Sequence, residues 1–294
     1  MNASFPALPA RPPESHKFDY GRIVVVGGSL GMAGAPALCA MAALRSGAGL
    51  VELLVPDPVA IVAASFDPCV MTLGLPSTAG GFSATATETI LSRAAKADVV
   101  ACGPGLGRGE EAAQIMRRLW DECPRPLVVD ADGIRAIADR GGRSPPGERV
   151  LTPHAGELTM MLGGSAAEDR RSLERAAERW AEAHGVIILL KGTRTLITHG
   201  SLSHHNTTGN PGMATAGAGD VLTGIIAALI GQGLSCLEAA RVAAWVHGRA
   251  GDLAAKVVGE MSLVATDILR WLPAAFRSIS SHERPTESPG SPSG

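Results

Sequence analysis

The chain has 294 residues, 46% of them apolar and 18% charged, with a formal net charge of −2. That suffices for the core of one large domain. It leaves too few charges for a disordered chain and no basic excess of the kind a nucleic-acid surface carries.

Residues 1–14 are Pro-rich and read as an extended tail. The start, MNASFPALPARPPESHK, has no apolar signal core, and no apolar run nears the roughly 20 residues of a membrane span. The five cysteines form no C-x-x-C pair and read as buried free thiols, so a cytoplasmic protein is expected. RIVVVGG, from Arg22, reads as a buried strand, and APALCAMAALRSG as a helix ended by Gly47. LVELLVP (from Leu50), ADVVACG (from Ala97), PLVVDAD (from Pro126) and RVLTPH (from Arg149) read as further strands. Helical segments separate most of them, among them EEAAQIMRRLWDE and RRSLERAAERWAEAHG. GVIILLKG, from Gly185, is another strand, and TRTLITHGSLSHHN reads as a hairpin turning near His199-Gly200. Helices are expected over roughly 214–231, 235–254 and 262–272, followed by an unstructured Ser/Pro-rich tail over 277–294.

Continuous Val/Ile/Leu runs alternating with helices predict a mostly parallel sheet covered on both faces. The expectation is a single α/β domain over residues 15–276, doubly wound and three layers thick. Its ligands then sit outside the carboxyl ends of the strands, so the punctuation there carries the chemistry.

The first strand end has Gly27, Gly28, Gly31 and Gly34, without the G-x-G-x-x-G of a dinucleotide turn. Gly34 and Ala35 start a helix, where backbone amides favour an anion or a close ligand; a plain strand–helix turn fits as well. Gly103-Pro104-Gly105-Leu106-Gly107 is richer in glycine than a simple turn needs, which favours a ligand-facing loop. In VVDADGI, Asp132 reads as a helix N-cap, and Asp130 as an orienting group for a ligand or a metal-bound water. In LTPHAGEL, Thr152, His154 and Glu157 cluster between a strand and a helix. His154 reads as a ligand contact, and Glu157 as a first-turn charge or a group near a metal. Lys191 ends a buried strand before Gly192, where it can neutralise phosphate.

The densest signal is NPGMATAGAGDVLTG. Gly209, Gly212, Gly217 and Gly219 precede a helix beginning near Asp220. One carboxylate suffices as a cap, whereas a run of glycines makes an anion nest of backbone amides. A phosphate cradle beside a general base accounts for both. The P-loop pattern G-x-x-x-x-G-K-[ST] does not occur, so this is another design for handling phosphate.

GAGD at Gly217–Asp220 resembles the anion-hole and catalytic-Asp motif of the ribokinase-like superfamily. The ordered set SHK…YG, VVGGS, GPGLG, DADG, TPHAGE, LKGTRT and NPGMATAGAGDVLTG resembles, over about residues 15–275, the bacterial ADP-dependent NAD(P)H-hydrate dehydratases. The resemblance implies repair of hydrated NADH and NADPH (the S epimer) with ADP and Mg²⁺, by phosphorylation of the ring hydroxyl and elimination. It implies that the hydrate contacts Ala35, Gly105, His154 and Asp220. The nucleotide, ADP or its product AMP, would contact Lys191, Gly192, Thr193, Arg194, Thr195 and Gly219. Asp220 would act as base, with Gly217 and Gly219 in the phosphoryl cradle and Glu157 near a metal through a water. A homo-oligomer, specifically a tetramer, and a separate NAD(P)H-hydrate epimerase are implied as well. Two positions depart from the family: Ala218 stands where a Thr or Ser hydroxyl is usual, and Phe18 where glycine is common. A kinase of small vitamin-precursor alcohols and a non-catalytic nucleotide sensor share the GAGD feature.

Overall fold

The computed structural model describes residue 6 and residues 8–138, 145–164 and 169–282. The chain runs β1 (Arg22–Val26), α1 (Gly34–Arg45), β2 (Leu50–Pro56), α2 (Asp57–Ala64) and β3 (Met71–Leu75). A small hairpin of β4 (Ser77–Thr78) and β5 (Gly81–Phe82) leads to α3 (Thr87–Lys96) and β6 (Val99–Cys102). Next come α4 (Glu110–Glu122), β7 (Leu127–Val129), α5 (Asp132–Ile137), β8 (Arg149–Leu151), α6 (Ala155–Met161), α7 (Arg170–His184) and β9 (Ile187–Leu190). β10 (Leu196–His199), β11 (Leu202–His205), α8 (Ala218–Gly231), α9 (Cys236–Val258) and α10 (Ala265–His282) complete it.

The period-two alternation of a strand sorts its side chains onto two faces. In β1, Ile23 and Val25 enter one core, shared with α1, α8, α9 and α10; Val24 and Val26 enter the other, shared with α3, α4 and α7. Both faces are covered, which is why the central strands read as unbroken apolar runs. The sheet order is β11-β10-β9-β8-β7-β6-β1-β2-β3. β1, β2, β3, β6, β7, β8 and β9 are parallel, and β10 is antiparallel to both its neighbours. The winding reverses between β1 and β6, which opens a crevice at their carboxyl ends.

α8 is apolar all round because it is buried all round. It lies against α1 at Gly224, where a Cβ would stand 2.1 Å from the Cys39 carbonyl oxygen. That approach fixes the start of α8 above the crevice.

Three expectations are revised. β3 and the β4–β5 hairpin were not legible: Met71–Leu75 (MTLGL) is a partly exposed edge strand containing a glycine, with no apolar run. α10 continues through Pro273 to His282, past the helix end at 272 and the tail boundary at 277, because Ala275 and Ile279 still pack in the core. Proline at 273 suggests a stop in sequence, but packing carries the helix on; residues from 283 lie outside the described residues. Finally, all five cysteines are free but Cys69 is exposed, on the segment before β3. Near the N-terminus Arg11 stacks on the Tyr20 ring, 3.9 Å from its centroid, so the Pro-rich stretch is fastened to the domain from there on. Among the described residues no helix is long and apolar enough to cross a membrane.

Candidate active site

Successive strand ends deliver one polar group each. Asp130 follows β7 and is buried, with 1% of its surface exposed. Lys191 follows β9, and its Nζ donates to Asp130 Oδ1 at 2.8 Å. Thr223, one turn into α8, brings its hydroxyl to 2.9 Å from Asp130 Oδ2 and 3.1 Å from the Gly219 carbonyl. Asp130 therefore binds β9 and α8 to β7. A buried ion pair is tolerable when its remaining lone pairs are satisfied, and here both carboxylate oxygens are. Glu157 Oε2 lies 3.8 Å from Lys191 Nζ, a second and looser partner.

The electrostatics separate two neighbouring carboxylates. Burial pushes the Asp130 carboxyl up, but the Lys191 charge and hydrogen bond outweigh it and hold Asp130 below the ordinary range. Burial pushes Lys191 down; the charges of Asp130 and Glu157 more than restore it, so Lys191 is raised and the pair is ionised. Asp220 goes the other way. Burial and the nearby Asp130 charge raise it to about 7, against the pull of Lys191. Environments that drive two adjacent acids apart assign them different tasks. A carboxylate near 7 is matched to general-base work at neutral pH. Among the described residues no hydrogen bond or ion pair ties down the Asp220 side chain.

The start of α8 is open. Gly217 occupies the N-cap at φ 88°, a conformation that favours glycine, and no side chain caps the helix. A Cβ at Gly219 would lie 3.3 Å from Lys191 Nζ and 3.5 Å from Asp130 Oδ2. The start of α8 thus lies against the Lys191 ammonium and the Asp130 carboxylate, with Asp220 in its first turn. Unpaired amides at a helix start, with the dipole behind them, suit a phosphate.

The flanking loops are pinned by residues that no motif marked. Asp252 of α9 accepts from the Gly209 amide and from Asn210 Nδ2, both at 3.0 Å. Thr208 donates to the Trp245 carbonyl at 2.9 Å. Together they hold the glycine-rich segment against α9. Arg170 donates to the carbonyls of Leu190, Lys191 and Arg194, each at 3.1 Å, and so shapes the turn carrying Gly192, Thr193, Arg194 and Thr195. Gly192, Thr193 and Arg194 are exposed there, at the end of β9. Asp132 is not the helix cap that its position suggested. Ala131, at φ 50°, takes the N-cap of α5, and Asp132 Oδ2 accepts the Gly107 amide at 3.0 Å. Sequence spacing cannot show this, because the partner lies on another loop.

Ala35 and Gly105 meet across the β1/β6 crevice: a Cβ on Gly105 would lie 3.3 Å from the Ala35 Cβ and 2.7 Å from the Met32 carbonyl oxygen. His154 follows β8 as the N-cap of α6. Its Nδ1 accepts the Glu157 amide at 3.2 Å, while Glu157 Oε2 accepts the His154 amide at 2.8 Å. This reciprocal pair leaves the His154 side chain 60% exposed toward solvent. Glu157 is thereby engaged twice. Among the described residues no group of three or more His, Cys, Asp or Glu could hold a metal ion.

The family described as NAD(P)H-hydrate dehydratase matches residues 23–274. A bifunctional NAD(P)H-hydrate repair enzyme of Moorella thermoacetica is 44% identical over 277 residues, 92% of this chain and 52% of that protein. One of Escherichia coli is 36% identical, covering 90% of this chain and 49% of its own. The chain thus spans about half the length of the curated relatives it matches. Among solved structures, an ADP/ATP-dependent NAD(P)H-hydrate dehydratase from Bacillus subtilis, co-crystallised with ATP and Mg²⁺, aligns with a TM-score of 0.80 at 28% identity, covering 95% of this chain and 99% of that one. A hydroxyethylthiazole kinase from Pyrococcus horikoshii shares the fold alone, with a TM-score of 0.61 at 15% identity over 89% of this chain and 92% of that one.

Proposed function

Because the chain belongs to the NAD(P)H-hydrate dehydratase family, we propose that it uses ADP to dehydrate the S epimer of hydrated NADH or NADPH, restoring the reduced cofactor. The observation that carries this reading is the untethered Asp220, raised to about 7, in the first turn of an uncapped helix beside an ionised Lys191–Asp130 pair.

Water is a poor leaving group and phosphate a good one. Asp220 takes the proton of the ring hydroxyl. The hydroxyl oxygen then bonds to the terminal phosphorus of ADP as the bond to the bridging oxygen breaks, leaving AMP. The ring C–O bond of the ester next breaks, with electrons from the ring nitrogen. Phosphate departs, the neighbouring ring carbon loses a proton, and the dihydronicotinamide is restored. The amides at Gly217 and Gly219 hold the transferring group, an electrostatic role; the Ala218 amide already donates to the Thr215 carbonyl at 3.4 Å. Lys191 neutralises its charge, and Asp130 keeps Lys191 ionised and aimed. The turn of Gly192, Thr193, Arg194 and Thr195 holds the rest of the nucleotide; Ala35, Gly105 and His154 line the hydrate side. Mg²⁺ bound with the nucleotide would offset the charge of its phosphates, and Glu157 is the residue that would orient a water of its shell.

The relatives that match are named bifunctional and are about twice as long. Pairing of this activity with an epimerase, a homotetramer and a cytoplasmic setting suited to five free cysteines belong to the same proposal. The test mixes purified protein with hydrated NADH and ADP, or ATP in a parallel arm, and follows the return of dihydronicotinamide absorbance together with AMP release. Return with one epimer, and AMP formed in step, is the expected result. No return with either epimer or either nucleotide overturns it, as does ATP-dependent phosphorylation of a thiazole or pyrimidine alcohol without hydrate repair.

A further inference from the structure

We propose that a cavity beside the crevice takes the adenosine half of the dinucleotide hydrate, and that Glu111 makes it favour a ribose with free hydroxyls over one bearing a 2′-phosphate. This rests on the dehydratase reading above. The cavity measures about 430 Å³ and lies between the β4–β5 hairpin, the loop after β1 and the start of α4. That is within the range of small-ligand pockets.

Its place in the fold points to the acceptor side. Along the sheet the nucleotide turn ends β9, Asp130 ends β7, and Ala35 and Gly105 meet at the β6/β1 crevice. Strands about 4.8 Å apart make this a linear scale running from donor to acceptor. Anything attached to the acceptor ring, and kept clear of the donor, continues past β1. The cavity begins there. Gly107 lines it, two residues after Gly105, and so does Ser29, whose hydroxyl donates to the Gly105 carbonyl at 2.9 Å. The hairpin closes the far rim, with the Leu30 amide donating to the Gly80 carbonyl at 2.7 Å. Leu30, 71% exposed, gives an apolar wall of the kind a purine face needs, with the buried Phe82 behind it.

The charges decide which ribose fits. Three ionic side chains line the cavity on its α4 side. Arg108 is drawn to Asp132, Nε to Oδ1 at 3.7 Å. Glu110 is paired with Arg117. Glu111, half-buried, has no hydrogen bond or ion pair among the described residues. An ionised carboxylate accepts only, so it suits the two donating hydroxyls of an unmodified ribose and repels a 2′-phosphate.

The experiment compares kcat/KM for three substrates: NADH hydrate, NADPH hydrate, and the hydrate of reduced nicotinamide mononucleotide, which lacks adenosine. The wild type is expected to prefer NADH hydrate over NADPH hydrate by about tenfold, the scale of one discriminating contact. The truncated hydrate should be the poorest. Glu111→Gln should bring the first two within about twofold of each other and leave the truncated hydrate unmoved. A second variant fills the space. Gly109 lines the cavity at φ −69°, and a Cβ there meets nothing within 4 Å, so Gly109→Phe carries no backbone strain and no clash at Cβ. It should raise KM for both dinucleotide hydrates relative to the truncated one. Equal kcat/KM for full and truncated hydrates, or a NADH:NADPH ratio that Glu111→Gln does not change, overturns the subsite while hydrate turnover persists. Failure of all three substrates would instead remove the dehydratase reading, and the subsite with it.

Discussion

Asp220→Asn tests the site in two independent ways. The change keeps the side chain's shape and removes its charge. Loss of the base should cut turnover by about 10²–10⁴-fold, while nucleotide affinity persists because the backbone amides at the start of α8 remain. The second effect is on folding. In the folded protein burial and Asp130 raise Asp220 from 3.8 to about 7. Below about pH 4 the carboxyl is protonated in both folded and unfolded chains and costs nothing. Between about 4 and 7 the unfolded chain ionises and the folded one does not, so the stability present at low pH is lost as pH rises. Above 7 the folded protein carries the charge at a cost of at most about 4 kcal/mol. Asparagine has no such dependence. Denaturant unfolding from pH 4 to pH 8 should therefore show the wild type losing stability relative to Asp220→Asn, with the gap widening to neutrality and then flat. Parallel curves would show that Asp220 is not desolvated as the structure has it. Turnover within a few-fold of wild type would reduce it to a first-turn helix residue. In the same vein, wild-type kcat/KM should fall as pH drops through about 7, where the base becomes protonated.

Removing the partner of Lys191 with Asp130→Ala should cost about 3–5 kcal/mol in denaturant unfolding, the usual loss when one member of a buried ion pair is deleted. At Gly219 an added methyl meets the flexible end of Lys191 at 3.3 Å. Gly219→Ala should therefore leave thermal stability unchanged or slightly raised, yet weaken ADP in calorimetry by about tenfold or more by crowding the phosphate cradle. Gly224→Ala should lower stability by about 1–3 kcal/mol, because its Cβ would sit 2.1 Å from the Cys39 carbonyl and push α1 from α8. His154→Ala should raise KM for the hydrate with kcat little changed, and cost about 1 kcal/mol through the lost α6 cap; an unchanged KM removes His154 from the site.

Much of the layout was legible because it follows from local rules. Unbroken apolar strands require two covering layers, so the parallel sheet and its helices could be read from Val and Ile runs. Glycines crowded before an apolar helix have few uses other than a backbone cradle, so Gly217, Gly219 and Asp220 stood out. The edge strand β3 did not, since a half-exposed strand carries no apolar run, and α10 overran Pro273 because core contacts outweighed a local break.

What the sequence by itself determined is which residue types end each strand: an acid after β7, a histidine after β8, a lysine after β9 and glycines before α8. What only the tertiary structure decided is how they act on one another. Asp130 and Lys191 are 61 residues apart in sequence and 2.8 Å apart in space. Asp130 and Thr223 are 93 residues apart and meet at 2.9 Å. Whether a carboxylate is held ionised or held near neutrality depends on burial and on charges a few ångströms away, and Coulomb energy in a desolvated site follows distance rather than chain position. For that reason Asp130 and Asp220, alike as letters, are driven to opposite protonation behaviour.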